Sequence, residues 1–215
     1  RSEVSNNAGL SNVKNLTLEA TGLHTVTTTA DAGSSGGTAI TPSAAFALIT
    51  NSTTSRLGTH AMATPVSGNL SMTATHDGTT TTKANGQTTG SNLAIGASFA
   101  LNSVTDTSTA TLDRALDATT VGSTATIEAL NTSKTTIETK AGSNGASQSG
   151  TTNSQTTSQK NFAANQTSKS VKNNAAANAN GNGQLGVSAA IGLNLVTAET
   201  KAAVGSMGTL TAPGA

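Results

Sequence analysis

The chain contains no cysteine, no tryptophan and no tyrosine. Without thiols there are no disulfide staples and no thiolate metal sites. Three phenylalanines supply all of the aromatic surface, so a core filled by large side chains is not available. Charge is scarce too, 10% of residues against roughly 25% in ordinary globular domains. Eleven Lys and Arg stand against ten Asp and Glu, a formal net charge of +1. No basic patch is present to neutralise phosphates, and nucleic acid is not expected as a partner. No run of eighteen apolar residues occurs, so no membrane span is expected. Proline appears three times, and the charge- and proline-rich composition of disordered chains is absent. Threonine, serine, asparagine, alanine and glycine fill the space left by these absences. Of these, Thr is a good strand former.

What the chain has is repetition. The stretch Leu93 to Leu112, LAIGASFALNSVTDTSTATL, returns with variation upstream as Ile40 to Leu57 and downstream as Leu185 to Val204. Its large apolar residues alternate: Ile40, Phe46 and Leu48; Ile95, Phe99 and Leu101; Val187, Ile191, Leu193 and Leu195. A period of two marks a strand, and the small residues between them suit a narrow interior. A second pattern, NLTLEATGLHTVTTTADAG from Asn15, returns fifty-four residues later from Asn69 and again as TATIEALNTSKTTIETKAG from Thr124. In these strands Leu16, Leu18, Leu70, Met72, Ala125 and Ile127 are expected to face inward. A turn is expected near Asn51, Asp106 or Thr197, followed by a returning strand.

The division that follows is 1–14 as the end of a preceding repeat, 15–68, 69–122 and 123–208 as three units, and 209–215 as the start of a further one. The opening at Arg1 and the closing GTLTAPGA interrupt the pattern, which reads as an excerpt of a longer polypeptide. The third unit carries an Asn/Ser/Gln-rich, low-complexity insertion, 143–183, expected to be peripheral. Within it Ser158 to Ala177, with Phe162 and Val171 as anchors, is compatible with a short helix or an irregular excursion. The fold expected is all-β, a repetitive β-solenoid (parallel β-helix-like), in which each turn of chain covers the edge of the next. Turns of roughly twenty to twenty-seven residues would make each unit two turns, and the whole a short rod.

No chemistry-bearing motif stands out. His24, His60 and His76 occupy non-equivalent repeat positions with no acidic pair at metal spacing. Asp106, Asp113 and Asp117 gather near one return, as in oxygen-rich Ca²⁺ turns; the other units lack counterparts, although Glu199 lies near the position of Asp106, which favours solvated turn charges. There is no G-x-S-x-G elbow, P-loop or dinucleotide fingerprint. No catalytic, cofactor-binding or metal-ligating residue is assigned, and enzymatic activity is not expected. Five N-x-S/T triplets, at Asn15, Asn51, Asn69, Asn131 and Asn165, match what chance gives in this composition. The Thr arrays (Thr25, Thr27, Thr29; Thr79, Thr81; Thr107, Thr109, Thr111) offer an alternative reading as an ice-binding ladder, against which the variable unit length weighs.

The succession LTLEATGLHTVTTTADAGSSGG, AFALITNSTTSRLG, SFALNSVTDTSTATL, TIEALNTSKTTIETKAGS and SQKNFAANQTSKS, leading into LGVSAAIGLNLVTAETKAAVG, resembles the repeats of giant bacterial surface proteins of the leukotoxin-type filamentous adhesin group. The likeness runs over nearly all of Asn15 to Ala212. Asn102 and Asn194 match the asparagine of that group's "alanine, aliphatic, asparagine, aliphatic" run, and the first copy has Ile49 there. The resemblance implies secretion, a cell-surface or extracellular location, and a fibre-shaft, spacer or adhesive task. Implied partners are neighbouring repeats or copies of the chain, and a host-cell, matrix or polysaccharide surface. No functional residue is carried over.

Overall fold

The computed structural model describes residues 1–118, 124–144, 173–180 and 185–211. Strands dominate and no helix occurs among the described residues. Two strands are exceptionally long, β2 (Leu16–Leu57) and β4 (Leu70–Leu112). They are joined by β6 (Ala125–Asn144), β7 (Asn173–Asn180) and β8 (Leu185–Val204). Short strands β1 (Ser2–Val4), β3 (Thr64–Val66), β5 (Ala115–Ala118) and β9 (Thr209–Thr211) complete the set.

All pairing is parallel. Strand β2 lies on β4 along its whole length, from Leu16↔Leu70 to Leu57↔Leu112. Strand β4 is covered on its other side by β6 from Leu70↔Ala125 to Thr89↔Asn144, and by β8 from Leu93↔Leu185 to Leu112↔Val204. A small second sheet, β3-β5-β9, stacks in the same sense. Partners in the long strands therefore lie 54 or 55 residues apart where no insertion intervenes, and those of the short strands β1 and β3 lie 53 and 52 apart. The chain advances one strand spacing per unit of sequence, and not one per twenty to twenty-seven residues. The twenty residues of β6 extend about 65 Å at 3.3 Å each, whereas three layers rise only about 10 Å. The stack is thus far broader than it is tall, unlike the short rod expected.

Each long strand doubles back on itself at its Gly-rich middle, so that its two limbs face one another through side chains. In β2 the Ser43 hydroxyl donates to the Ala30 carbonyl at 2.9 Å, and Ser55 donates to Leu18 at 2.8 Å. In β4 the corresponding bond runs from Ser108 to the Ala74 carbonyl at 2.8 Å. The bend is marked by Gly36, whose φ of +157° suits glycine. The register also slips there: one residue separates Gly36 from Thr38, where two separate Gly90 from Leu93. No turn occurs at Asn51, Asp106 or Thr197; the strands run straight through these positions.

Inward side chains shrink along each layer, from the strand ends to the bend. At the open end Leu18, Leu57, Val66, Leu70, Met72, Leu112 and Leu116 form the main apolar cluster. Leu16 and Ile127 pack against it as expected, while Ala125 is exposed. At the bend the interior is Ala45, Ala84 and Ala100 around Ile137, then Ala141 against Ala190. Small residues bring the limbs close enough there for backbone to touch backbone.

Near the bend that narrow interior excludes the large residues of the second limb, although Val104, Leu57 and Leu112 farther along it are buried. Ile40, Phe46, Leu48, Val187 and Leu195 point outward, Leu48 being 74% exposed, while Ala39, Thr41, Ser43, Ala45 and Ala47 are buried. Phe46 and Phe99 touch across layers with ring centroids 5.6 Å apart. They are not register partners, because Phe46 pairs with Leu101 and Ala44 with Phe99. The counterpart of Asn102 is accordingly Ala47, and not Ile49 as the matching Phe-Ala-Leu letters suggest. A two-residue slip leaves every side chain on its own face.

In the insertion, β7 adds to the free edge of β6, from Ile137↔Asn173 to Asn144↔Asn180. Asn173 to Ala177 is therefore strand and not helix, and this part of 143–183 belongs to the sheet. The remainder of the helix expectation, with Phe162 and Val171, lies outside the described residues. Segment 209–215, read above as the start of a further repeat, pairs through Thr209–Thr211 with Ala115–Asp117 near the end of the second unit.

Candidate functional site

Between the apolar and small-residue zones the interior is polar. In β2 and β4 the first limb places Gly22 over His76 and His24 over Gly78. This staggering makes room for two imidazoles in adjacent layers. A Cβ on Gly78 would overlap the His24 ring, with Nε2 at 2.8 Å, and one on Gly22 would meet His76 Nδ1 at 2.9 Å. The rings lie against each other with centroids 5.1 Å apart.

The facing limb supplies Asn51, Thr53 and Asp106, and the third layer supplies Asn131 and Ser133. Asp106 is fully buried and His76 is 3% exposed, with His76 Nε2 3.3 Å from Asp106 Oδ1. Asn51 Nδ2 donates to Asp106 Oδ1 at 2.9 Å and lies 3.2 Å from His24 Nδ1. Ser133 donates to Asp106 Oδ2. Asn131 Nδ2 donates to the Asp106 carbonyl at 2.6 Å and to that of Glu199 at 3.3 Å. His76 Nδ1 lies 3.0 Å from the Thr53 hydroxyl. One nitrogen of each histidine and one Asp106 oxygen fall within 4.8 Å of one another. His24 and His76 are thus not remote from acidic groups, contrary to the reading of repeat positions.

The other residues singled out in the sequence do not converge on this place. His60 is on the surface, its Nδ1 within 3.0 Å of the Met62 carbonyl. Asp113 receives Arg56 Nε at 2.8 Å, and Arg56 Nη1 reaches Glu3 at 2.8 Å. The Asp113 hydrogen bond is the main reason the Arg56 pKa is raised. Asp117 lies on β5, exposed. Six residues of extended chain, about 20 Å, separate Asp106 from the end of β4, so the three aspartates form no Ca²⁺ turn. Glu199 pairs with Thr107, one position from the Asp106 register, and so faces out.

No family model, curated protein or solved structure matches this chain. A second buried polar row runs beside the histidines: Asn102 Nδ2 donates to Asn194 Oδ1 at 3.0 Å, and Asn194 Nδ2 to Thr135 at 2.7 Å. Asn15 and Asn69 form a corner ladder, Asn15 Oδ1 accepting from Asn69 N–H at 2.8 Å and Asn69 Oδ1 from Thr124 N–H at 3.0 Å. The recurring Asn-Leu pair of the sequence is thus structural, and among the N-x-S/T triplets Asn51 and Asn131 point inward. Asn165 lies outside the described residues.

The outer Thr rows are continuous only in part. Thr27, Thr81 and Thr136 align through three layers, as do Thr50, Thr105 and Thr197. The row Thr29, Lys83, Glu138 is charged, with Lys83 Nζ 3.4 Å from Glu138 and Lys140 also bound to it. Hydrogen bonding from Lys140 is the first cause of the lowered Glu138 pKa.

Proposed function

We propose that the chain is a non-catalytic length of shaft or spacer in an extracellular bacterial filament or surface protein, built as a β-solenoid. The observation that carries this reading is positional equivalence. The same inward site holds Ala39, Ala94 and Gly186, then Ser43, Ser98 and Ala190, then Ala45, Ala100 and Gly192, in successive layers. Such a stack propagates along one axis, buries a continuous core, and needs a further layer on each open edge. Catalysis is disfavoured because the one His–Asp group among the described residues is held inside the layers, with Asp106 fully buried. Lys83, Lys134, Glu138 and Lys140 interrupt the Thr surface, which weighs against the ice-binding alternative.

Strand β2 has β4 as its ladder partner, and on its other edge only β1, at Ser55–Leu57, among the described residues. An edge this long is a template for another strand. The chain is therefore expected to associate edge to edge, forming stacked ribbons in negative-stain images and larger species in sedimentation velocity as concentration rises. Inward charges on that edge, Val26→Lys with Ala32→Lys, should return monomers with an unchanged far-UV circular dichroism spectrum. A strictly monomeric chain at high concentration would contradict the shaft reading.

A further inference from the structure

We propose that His24, His76 and Asp106 bind one transition-metal dication of the zinc class as an internal clasp between the layers. The geometry goes beyond a hydrogen-bonded polar core in two respects. Both His24 Nε2 and His76 Nε2 are buried without a hydrogen-bond partner. His76 Nε2 is 3.3 Å from Asp106 Oδ1, yet off the line a hydrogen bond requires.

That separation is what an ion makes of two ligands. With metal–nitrogen and metal–oxygen distances of about 2.0–2.1 Å and tetrahedral angles, adjacent ligand atoms stand about 3.3 Å apart. The surroundings suit it as well. If His76 Nδ1–H donates to Thr53, the lone pair of Nε2 is left facing the carboxylate. Ser133 and Asn51 hold Asp106 by its two oxygens. Metal-binding histidines and carboxylates are commonly fixed by such outer contacts. Two imidazoles and a single carboxylate favour zinc, cobalt or nickel over calcium, which takes six or more oxygens. Access is through the β2 layer, where His24 is half-buried and Gly78 leaves the space its ring occupies.

The site would join chemistry to stacking. His24 belongs to the first layer and His76 and Asp106 to the second, so an ion bound by all three ties layer to layer at a point where the interior is lined largely by polar side chains. It stabilises the folded stack by mass action, since the unfolded chain has no preformed site.

The test uses the full chain, stripped with chelator and titrated with Zn²⁺ by calorimetry, with Co²⁺ absorption to report geometry. The expected result is one equivalent bound, tetrahedral Co²⁺ bands, and a rise in Tm of about 5–10 °C at a hundredfold excess over the dissociation constant. Ca²⁺ should leave Tm unchanged. His24→Gln and His76→Gln should each weaken binding about a hundredfold, whereas His60→Gln should bind as the parent does. Circular dichroism of the variants in chelator establishes that they are folded; if His76→Gln is not, His24→Gln at the edge layer decides. Absence of both the Co²⁺ bands and the Tm shift would overturn the proposal. So would Zn²⁺ binding that survives His24→Gln or is lost with His60→Gln.

Discussion

Gly96→Val is expected to destabilise the fold by about 3 kcal/mol, lowering Tm by about 6–12 °C for a chain of this size. Gly96 sits on the inward face of β4 where the limbs are closest. A Cβ there would lie 2.5 Å from the carbonyl oxygen of Gly142 and 3.2 Å from its carbonyl carbon. These are backbone atoms of a paired strand, so no rotamer change relieves the contact. Leu48→Ser, on the outer face of the same limb in the neighbouring layer, removes a large apolar side chain that is 74% exposed, and should change stability by no more than about 0.5 kcal/mol. Losing a leucine is thus expected to matter less than adding two methyl groups and a Cβ to a glycine. Thermal melts of the two variants check this, and the reverse order would show that the limbs are not packed with their small residues inward.

Arg114→Met is expected to cost about 3 kcal/mol, read as a lower urea midpoint at unchanged m-value. Arg114 is the largest fully buried side chain. Among the described residues it has no carboxylate partner: its Nε donates to the Gly58 carbonyl, Nη1 to Ala8 at 2.8 Å and Nη2 to Ser5 at 3.2 Å. Burial pushes its pKa down. The guanidinium pins the 5–8 turn, where Asn7 adopts a φ of +62°, onto the segment that follows β2. Methionine fills much of the volume but leaves three carbonyls short of a donor, at about 1 kcal/mol or more each. Arg114→Lys should fall between parent and Met, because one ammonium cannot reach three acceptors set in a planar fork. An unchanged midpoint for Arg114→Met would mean that water serves these carbonyls equally well.

The all-β character and the inward Leu18, Leu70 and Met72 were legible in the sequence because alternation reports directly on the two faces of a strand. Which face of the second limb points inward was not legible. Phe46 and Leu48 alternate with Ala45 and Ala47, and hydrophobicity alone would bury the larger set. What reverses it is the approach of the opposite limb, fixed by Gly86, Gly96 and Gly142 in other layers. The polar cluster was hidden for a related reason. His24 and His76 are two positions out of register, and parity keeps both inward, while Asp106 reaches them from the facing limb. The staggered Gly22/His76 and His24/Gly78 pairs were the available signal, since each glycine stands opposite a histidine. The strand at Asn173–Asn180 was missed because Asn and Ala carry little intrinsic strand preference; the exposed edge of β6 supplies its order.

The layer period is the feature on which the whole account depends, and cysteine pairs measure it directly in a chain that has no native cysteine. Thr27 and Thr81 are register partners on the outer face, at a strand spacing of about 4.8 Å, within disulfide reach. A turn of twenty-seven residues would instead set Thr27 over Thr54. Mild oxidation of Thr27→Cys with Thr81→Cys is predicted to give an intramolecular disulfide in the folded chain, while Thr27→Cys with Thr54→Cys stays reduced. Closure of the second pair and not the first would contradict the parallel, one-unit-per-layer stack.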